Sequence, residues 1–99
     1  MERKLSTVVL IDEYPLFRKG MADVLTASGD FQVLGQTADE ATALSLVALG
    51  PDLVVMNLQQ EGFDTLRFLQ EVKTRQPPTS VVMMLTSPDQ ASLLMKAIR

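Results

Sequence analysis

Short unbroken apolar runs alternate with longer stretches whose apolar residues recur at helical spacing. That alternation is the signature of βα units around a parallel sheet. Thr7-Val8-Val9-Leu10-Ile11 is the first run; a strand covered on both faces has no polar side to alternate with. It stops at Asp12-Glu13, and Tyr14-Pro15 opens a helix, because proline at the first helical position gives up only an N–H that would have no partner there. Leu16, Phe17, Met21, Val24 and Leu25 are expected on the apolar stripe of that helix, and Gly29 ends it. Phe31 to Gly35 reads as a second strand. Asp39 can cap a second helix through Leu49, with Leu44, Val47 and Ala48 inward, and Gly50-Pro51 stops it. Leu53 to Met56 is a third strand that delivers Asn57 at its carboxyl end. Beyond Gly62, Asp64 or Thr65 caps a third helix with Leu66, Leu69 and Val72 on one stripe, ended by Pro77-Pro78. Ser80 to Leu85 is a fourth strand, in which Met83 and Met84 are packing residues, and it delivers Thr86-Ser87. Ser87-Pro88-Asp89-Gln90 forms a capping box for a fourth helix, with Leu93, Leu94, Ala97 and Ile98 on its apolar face, still running at Arg99.

Ninety-nine residues make one domain, 1–99. With 46% hydrophobic and 21% charged residues, the chain has the apolar content of a folded globule and not of a disordered segment. The net charge is −3, and its basic clusters, Arg3-Lys4 and Arg18-Lys19, are too small to track a phosphate backbone. The domain itself is therefore not expected to grip nucleic acid. There is no cysteine and no histidine, which excludes disulfides, thiol nucleophiles, Cys/His zinc sites and a histidine general base. No apolar run approaches the length of a membrane span or a signal-peptide core, so a cytoplasmic protein is expected.

In open parallel sheets, ligands bind outside the carboxyl ends of the strands. Those ends present Asp12 and Glu13, then Asn57, then Thr86. Two carboxylates, a carboxamide and a hydroxyl converging on one crevice suit Mg²⁺, which takes few protein carboxylates and keeps several waters. Each residue also has a plainer reading: strand-end acids favour a following helix N-terminus, asparagine is a common turn residue, and Ser87 is explained as a cap. Tyr14 is expected to pack at the helix entrance.

Three segments together carry a resemblance. Val8 to Gly20 (VVLIDEYPLFRKG), Gly50 to Gly62 (GPDLVVMNLQQEG) and Met83 to Ser87 (MMLTS) resemble the first strand, phosphorylation loop and fourth strand of response-regulator receiver domains of the NarL/FixJ-like class. The resemblance spans essentially the whole chain. It implies a flavodoxin-like, doubly wound parallel α/β sheet of order 2-1-3-4-5. Such domains accept a phosphoryl group from a sensor kinase onto an aspartate, with Mg²⁺, and then change their pairing with a partner or with themselves. Carried over, Asp12 and Glu13 match the metal-holding acidic pair, Asn57 the phosphoacceptor and Thr86 the hydroxyl that senses the phosphoryl group. In this class DNA is bound only by a downstream helix-turn-helix domain, which this sequence does not contain.

Two departures shape the reading. A neutral carboxamide is far less nucleophilic than a carboxylate, so Asn57 implies a site without phosphoryl chemistry and at most a weak Mg²⁺ site formed by Asp12, Glu13 and Asn57. The loop Gln59-Gln60-Glu61-Gly62 also lacks the family's apolar-Pro-Gly ending, which favours natural divergence over an engineered Asp-to-Asn change. The fifth strand, with its lysine, and the fifth helix are absent, which is read as truncation before the fifth strand. The expectation is therefore a pseudo-receiver of a bacterial transcriptional regulator, not an enzyme, working through self-association or a partner such as a sensor kinase or another regulator. Two alternatives stand beside it: a free-standing interaction or antagonist module, and an ordinary receiver carrying an engineered Asn57.

Overall fold

A computed structural model of the chain describes residues 4–57 and 62–84. The expected loop residues Gln59, Gln60 and Glu61, the switch hydroxyl Thr86, the Ser87 cap and the whole fourth helix lie outside them. The elements run β1 (Ser6–Ile11), α1 (Pro15–Ser28), β2 (Phe31–Thr37), α2 (Glu40–Val47), β3 (Leu53–Asn57), α3 (Thr65–Arg75) and β4 (Ser80–Met84). All strand pairs are parallel, in the order β2-β1-β3-β4. This is the expected doubly wound order as far as the described residues extend.

The local chemistry explains where elements begin and end. Asp39 caps α2 by accepting from Thr42 N–H at 2.8 Å, and Asp64 caps α3 by accepting from Arg67 N–H at 3.1 Å. The N-cap of α1, Tyr14, does not cap the helix with its side chain, and Pro15 at the first position favours that start. Gly29 closes α1 at φ 79°, a left-handed conformation that only glycine adopts at little cost. Gly35 answers a different need: a Cβ there would meet a terminal methyl of Leu46 at 2.7 Å, so the glycine lets that side chain of α2 lie close on β2 without shifting. At the amino ends of the strands, the Asp52 carboxylate accepts from both the N–H and the hydroxyl of Thr7, tying β1 to the entry of β3.

The core divides by strand parity. Val9 and Ile11 of β1, with Val54 and Met56 of β3, face α2 and α3 and enclose Ala43, Val47, Phe68 and Val72. Val8, Leu10 and Val55 face α1, against Met21, Ala22 and Leu25. Met83 and Met84 pack against these two clusters, one on each face, as expected of packing residues.

Several expected inward residues face outward. On α1, Leu16 is 83% and Val24 68% exposed, whereas the stripe turned to the sheet runs Arg18, Met21, Ala22 and Leu25. Spacings of three and four residues fit either stripe, and the sheet's position selects the second. On α3, Phe68 takes the core position beside Val72, and Leu66 turns toward solvent. On α2, Ala43 is buried where Ala48 was expected, because the helix ends at Val47 and Ala48 is its exposed C-cap. Tyr14, expected to pack, is largely exposed.

Candidate functional site

The register of β1 on β3 builds the site. Leu10 pairs with Val55 and Ile11 with Met56, so one step further along both strands sets Asp12 beside Asn57 at the carboxyl edge. Both side chains are withdrawn from solvent, Asp12 to 3% and Asn57 to 6% exposure. They line a hollow of about 540 Å³ together with Tyr14, Leu16 and Phe17. The polar end of this hollow thus comes from strand ends and its apolar wall from the first turn of α1. Glu13, half-buried, follows Asp12 in the turn.

Asp12 is held from three sides. Its backbone N–H donates to the Thr37 carbonyl at 3.1 Å, anchoring the end of β1 to β2. Its carboxylate Oδ1 accepts the Tyr14 N–H at 2.9 Å. Its carbonyl accepts Nη1 of Arg18, whose guanidinium reaches back from the first turn of α1. Asp12 is in turn one of the residues that line the hollow.

Next to this corner, Glu40 fastens the start of α2 to the start of α3. Its carboxylate accepts the Asp64 N–H at 2.8 Å and pairs with the Arg67 guanidinium. The Arg67 hydrogen bond, followed by that from Asp64 N–H, holds the Glu40 carboxyl below its usual range. The link stands at the carboxyl-edge side of the sheet, where the segment after Asn57 rejoins the described structure at Gly62.

Of the sequence candidates, the structure brings Asp12 and Asn57 together; Glu13 follows Asp12 in the turn and is not among the residues lining the hollow. Thr86 lies outside the described residues. Among those residues, no group of three acidic, histidine or cysteine side chains is gathered as a metal cage. The set that is present, one oriented carboxylate, one neighbouring acid and a carboxamide oxygen, still fits a Mg²⁺ ion that keeps most of its waters. Sequence reasoning gave no role to Arg18 or Tyr14. The signal available for Arg18 was its place on the 18, 21, 22, 25 stripe; for Tyr14 it was adjacency to the acidic pair.

A parallel sheet of this order with an acid and a carboxamide paired at its carboxyl edge defines a class before any comparison with known proteins. The family model for the response regulator receiver domain matches residues 8–99, and the chain belongs to that family. It is thus a receiver domain of the two-component type, similar to those of transcriptional regulators of the NarL kind. It is 31% identical over 93 residues to the transcriptional regulatory protein NarL of Mycobacterium tuberculosis, covering 93% of this chain and 43% of that protein. The signal receiver domain of NarL from the same organism superposes with a TM-score of 0.81 at 29% identity, over 95% of this chain and 78% of that one. A protein-glutamate methylesterase/protein-glutamine glutaminase of Anaeromyxobacter dehalogenans is 28% identical over 92 residues, 92% of this chain and 27% of its own length. Receivers similar to this one therefore occur in regulators and in an enzyme alike, and the chain spans less than half the length of either relative. No helix among the described residues is long and apolar enough to cross a membrane.

Proposed function

We propose that this chain is the receiver domain of a cytoplasmic transcriptional regulator and works without aspartyl phosphorylation, through association with a second copy or a partner protein. Asn57 carries the proposal: it stands at the carboxyl end of β3, buried, beside Asp12 and lining the same hollow, where the family resemblance puts the phosphoacceptor. A carboxamide there cannot supply the nucleophilic carboxylate of an acyl phosphate. Asp12 and Glu13 with the Asn57 oxygen would hold a Mg²⁺ ion weakly, having one negative charge fewer than a site with aspartate at position 57. When bound, such an ion would supply positive charge at the strand ends. Asp12, fixed by Thr37, Tyr14 and Arg18, would be its best-held ligand.

Association is supported by the apolar rim. Tyr14, Leu16 and Phe17 are all exposed around a hollow whose polar end is buried, an arrangement suited to a protein surface closing over it. Sedimentation of the protein with and without Mg²⁺ and a small-molecule phosphodonor tests the reading. The association state is expected to be the same in both conditions; a phosphodonor-dependent change of state would overturn it.

A further inference from the structure

The corner around Asp12 contains an arginine that packing alone does not explain. Arg18 occupies the inward stripe of α1, above Met21, Ala22 and Leu25, where an apolar side chain would serve the core better. Its side chain borders a small, partly open space of about 10 Å³ at the end of β1, lined by Leu10, Asp12, Phe17, Met21, Val55 and Met84 among others. Nη1 donates to the Asp12 carbonyl, while Nε is buried with no acceptor. A buried donor without a partner is costly, and a cation in apolar surroundings more so. Leucine or methionine at this position would avoid both costs. What the arginine adds is a charge-assisted hydrogen bond to the main chain of Asp12.

We infer that Arg18 is a positioning residue for the acidic corner: it holds the Asp12 main chain so that the Asp12 carboxylate and Glu13 are presented to a divalent cation. This inference rests on the reading of Asp12 and Glu13 as the surviving cation-holding pair. Arg18 touches neither the hollow's contents nor any reacting atom and acts through Asp12. Its charge and its position have opposite consequences. As a mere nearby positive charge, it would oppose a cation, and its removal would tighten binding. As a positioning residue, its removal loosens the corner and weakens binding, so the sign of the change separates the two roles.

The protein carries its own probe, because Tyr14 is the single tyrosine, there is no tryptophan, and Tyr14 lines the hollow. Mg²⁺ is titrated against Tyr14 fluorescence in the parent and in the Asn57→Asp variant, where the added carboxylate strengthens the site. Arg18→Met and Arg18→Lys are then introduced into the Asn57→Asp background, with folding checked by circular dichroism. Arg18→Met is expected to weaken Mg²⁺ by roughly tenfold, the scale of one charge-assisted hydrogen bond. Arg18→Lys keeps a donor within reach of the carbonyl and is expected to recover most of that loss. Unchanged or tighter Mg²⁺ binding in folded Arg18→Met overturns the inference, as does an Asn57→Asp protein that binds no Mg²⁺ at all. Phosphoryl transfer is not read in this titration, so its outcome is separate from that of the phosphorylation-independent reading.

Discussion

The two faces of the sheet are built to different standards. On the α2/α3 face eight side chains are buried together among the described residues, with the Phe68 ring fully enclosed and set edge-on to Phe63 at 5.2 Å between centroids. On the α1 face three strand residues are buried among the described residues, α1 itself buries none, and Leu16, Phe17, Val24 and Val82 remain exposed. The helix starts follow the same division. Asp39 and Asp64 cap α2 and α3, whereas α1 has no side-chain cap. Among the described residues the α2/α3 face therefore holds the larger apolar core, and the α1 face carries Arg18, Tyr14 and the apolar wall of the candidate site.

Mutations should separate the faces clearly. Phe68→Ala removes a fully buried ring and is expected to cost about 3–5 kcal/mol, a large share of what a domain of this size has to lose. Val24→Ala, on the exposed side of α1, should stay within about 0.5 kcal/mol. Urea denaturation of both measures the contrast; equal losses would mean that α1 is as tightly packed as α3.

The caps give a smaller effect with opposite signs. Asp64→Ala should destabilise by about 1 kcal/mol, whereas Tyr14→Asp should stabilise by a similar amount, because it adds an oxygen to a helix start that lacks one. Thermal melts of the two variants test this. A fall in stability for Tyr14→Asp would show that the tyrosine already contributes as much as a cap.

The smallest effect is the link between α2 and α3. The Glu40 carboxyl is lowered in the folded protein by Arg67 and Asp64 N–H. Its contribution is therefore fully present above the carboxyl's unfolded value and is lost as pH falls through the lower folded value. Arg67 is well exposed, so solvent screens the pair and the gain is small. Glu40→Gln should melt a few degrees below the parent at neutral pH, and the gap should close as the solution is acidified below about pH 4. A gap independent of pH would contradict the assignment.

The same contrast explains what was legible in the sequence. β1 and β3 were readable because a strand covered on both faces is apolar throughout, and Asn57 was placed at a strand end because the run breaks there. The caps Asp39 and Asp64 were readable from their chemistry. The inward stripe of α1 was not: Leu16, Phe17 and Val24 are more apolar than Arg18, yet Arg18 is the side chain turned to the sheet. Hydrophobicity misleads where a charged side chain is needed inside. Phe68 was missed for a simpler reason, since Leu66, Leu69 and Val72 also satisfy helical spacing and only the sheet's position decides between the stripes. The pairing of Asp12 with Asn57 followed from fold expectation; the Arg18 hydrogen bond to the Asp12 carbonyl has no counterpart in the hydrophobic pattern.

The central claim is that the site at Asn57 is chemically silent while the pocket around it stays in order. Intact mass after incubation with Mg²⁺ and a small-molecule phosphodonor tests it most directly, with the parent and Asn57→Asp measured side by side. The account predicts no phosphoryl adduct on the parent and one adduct on Asn57→Asp. A stable adduct on the parent would contradict it.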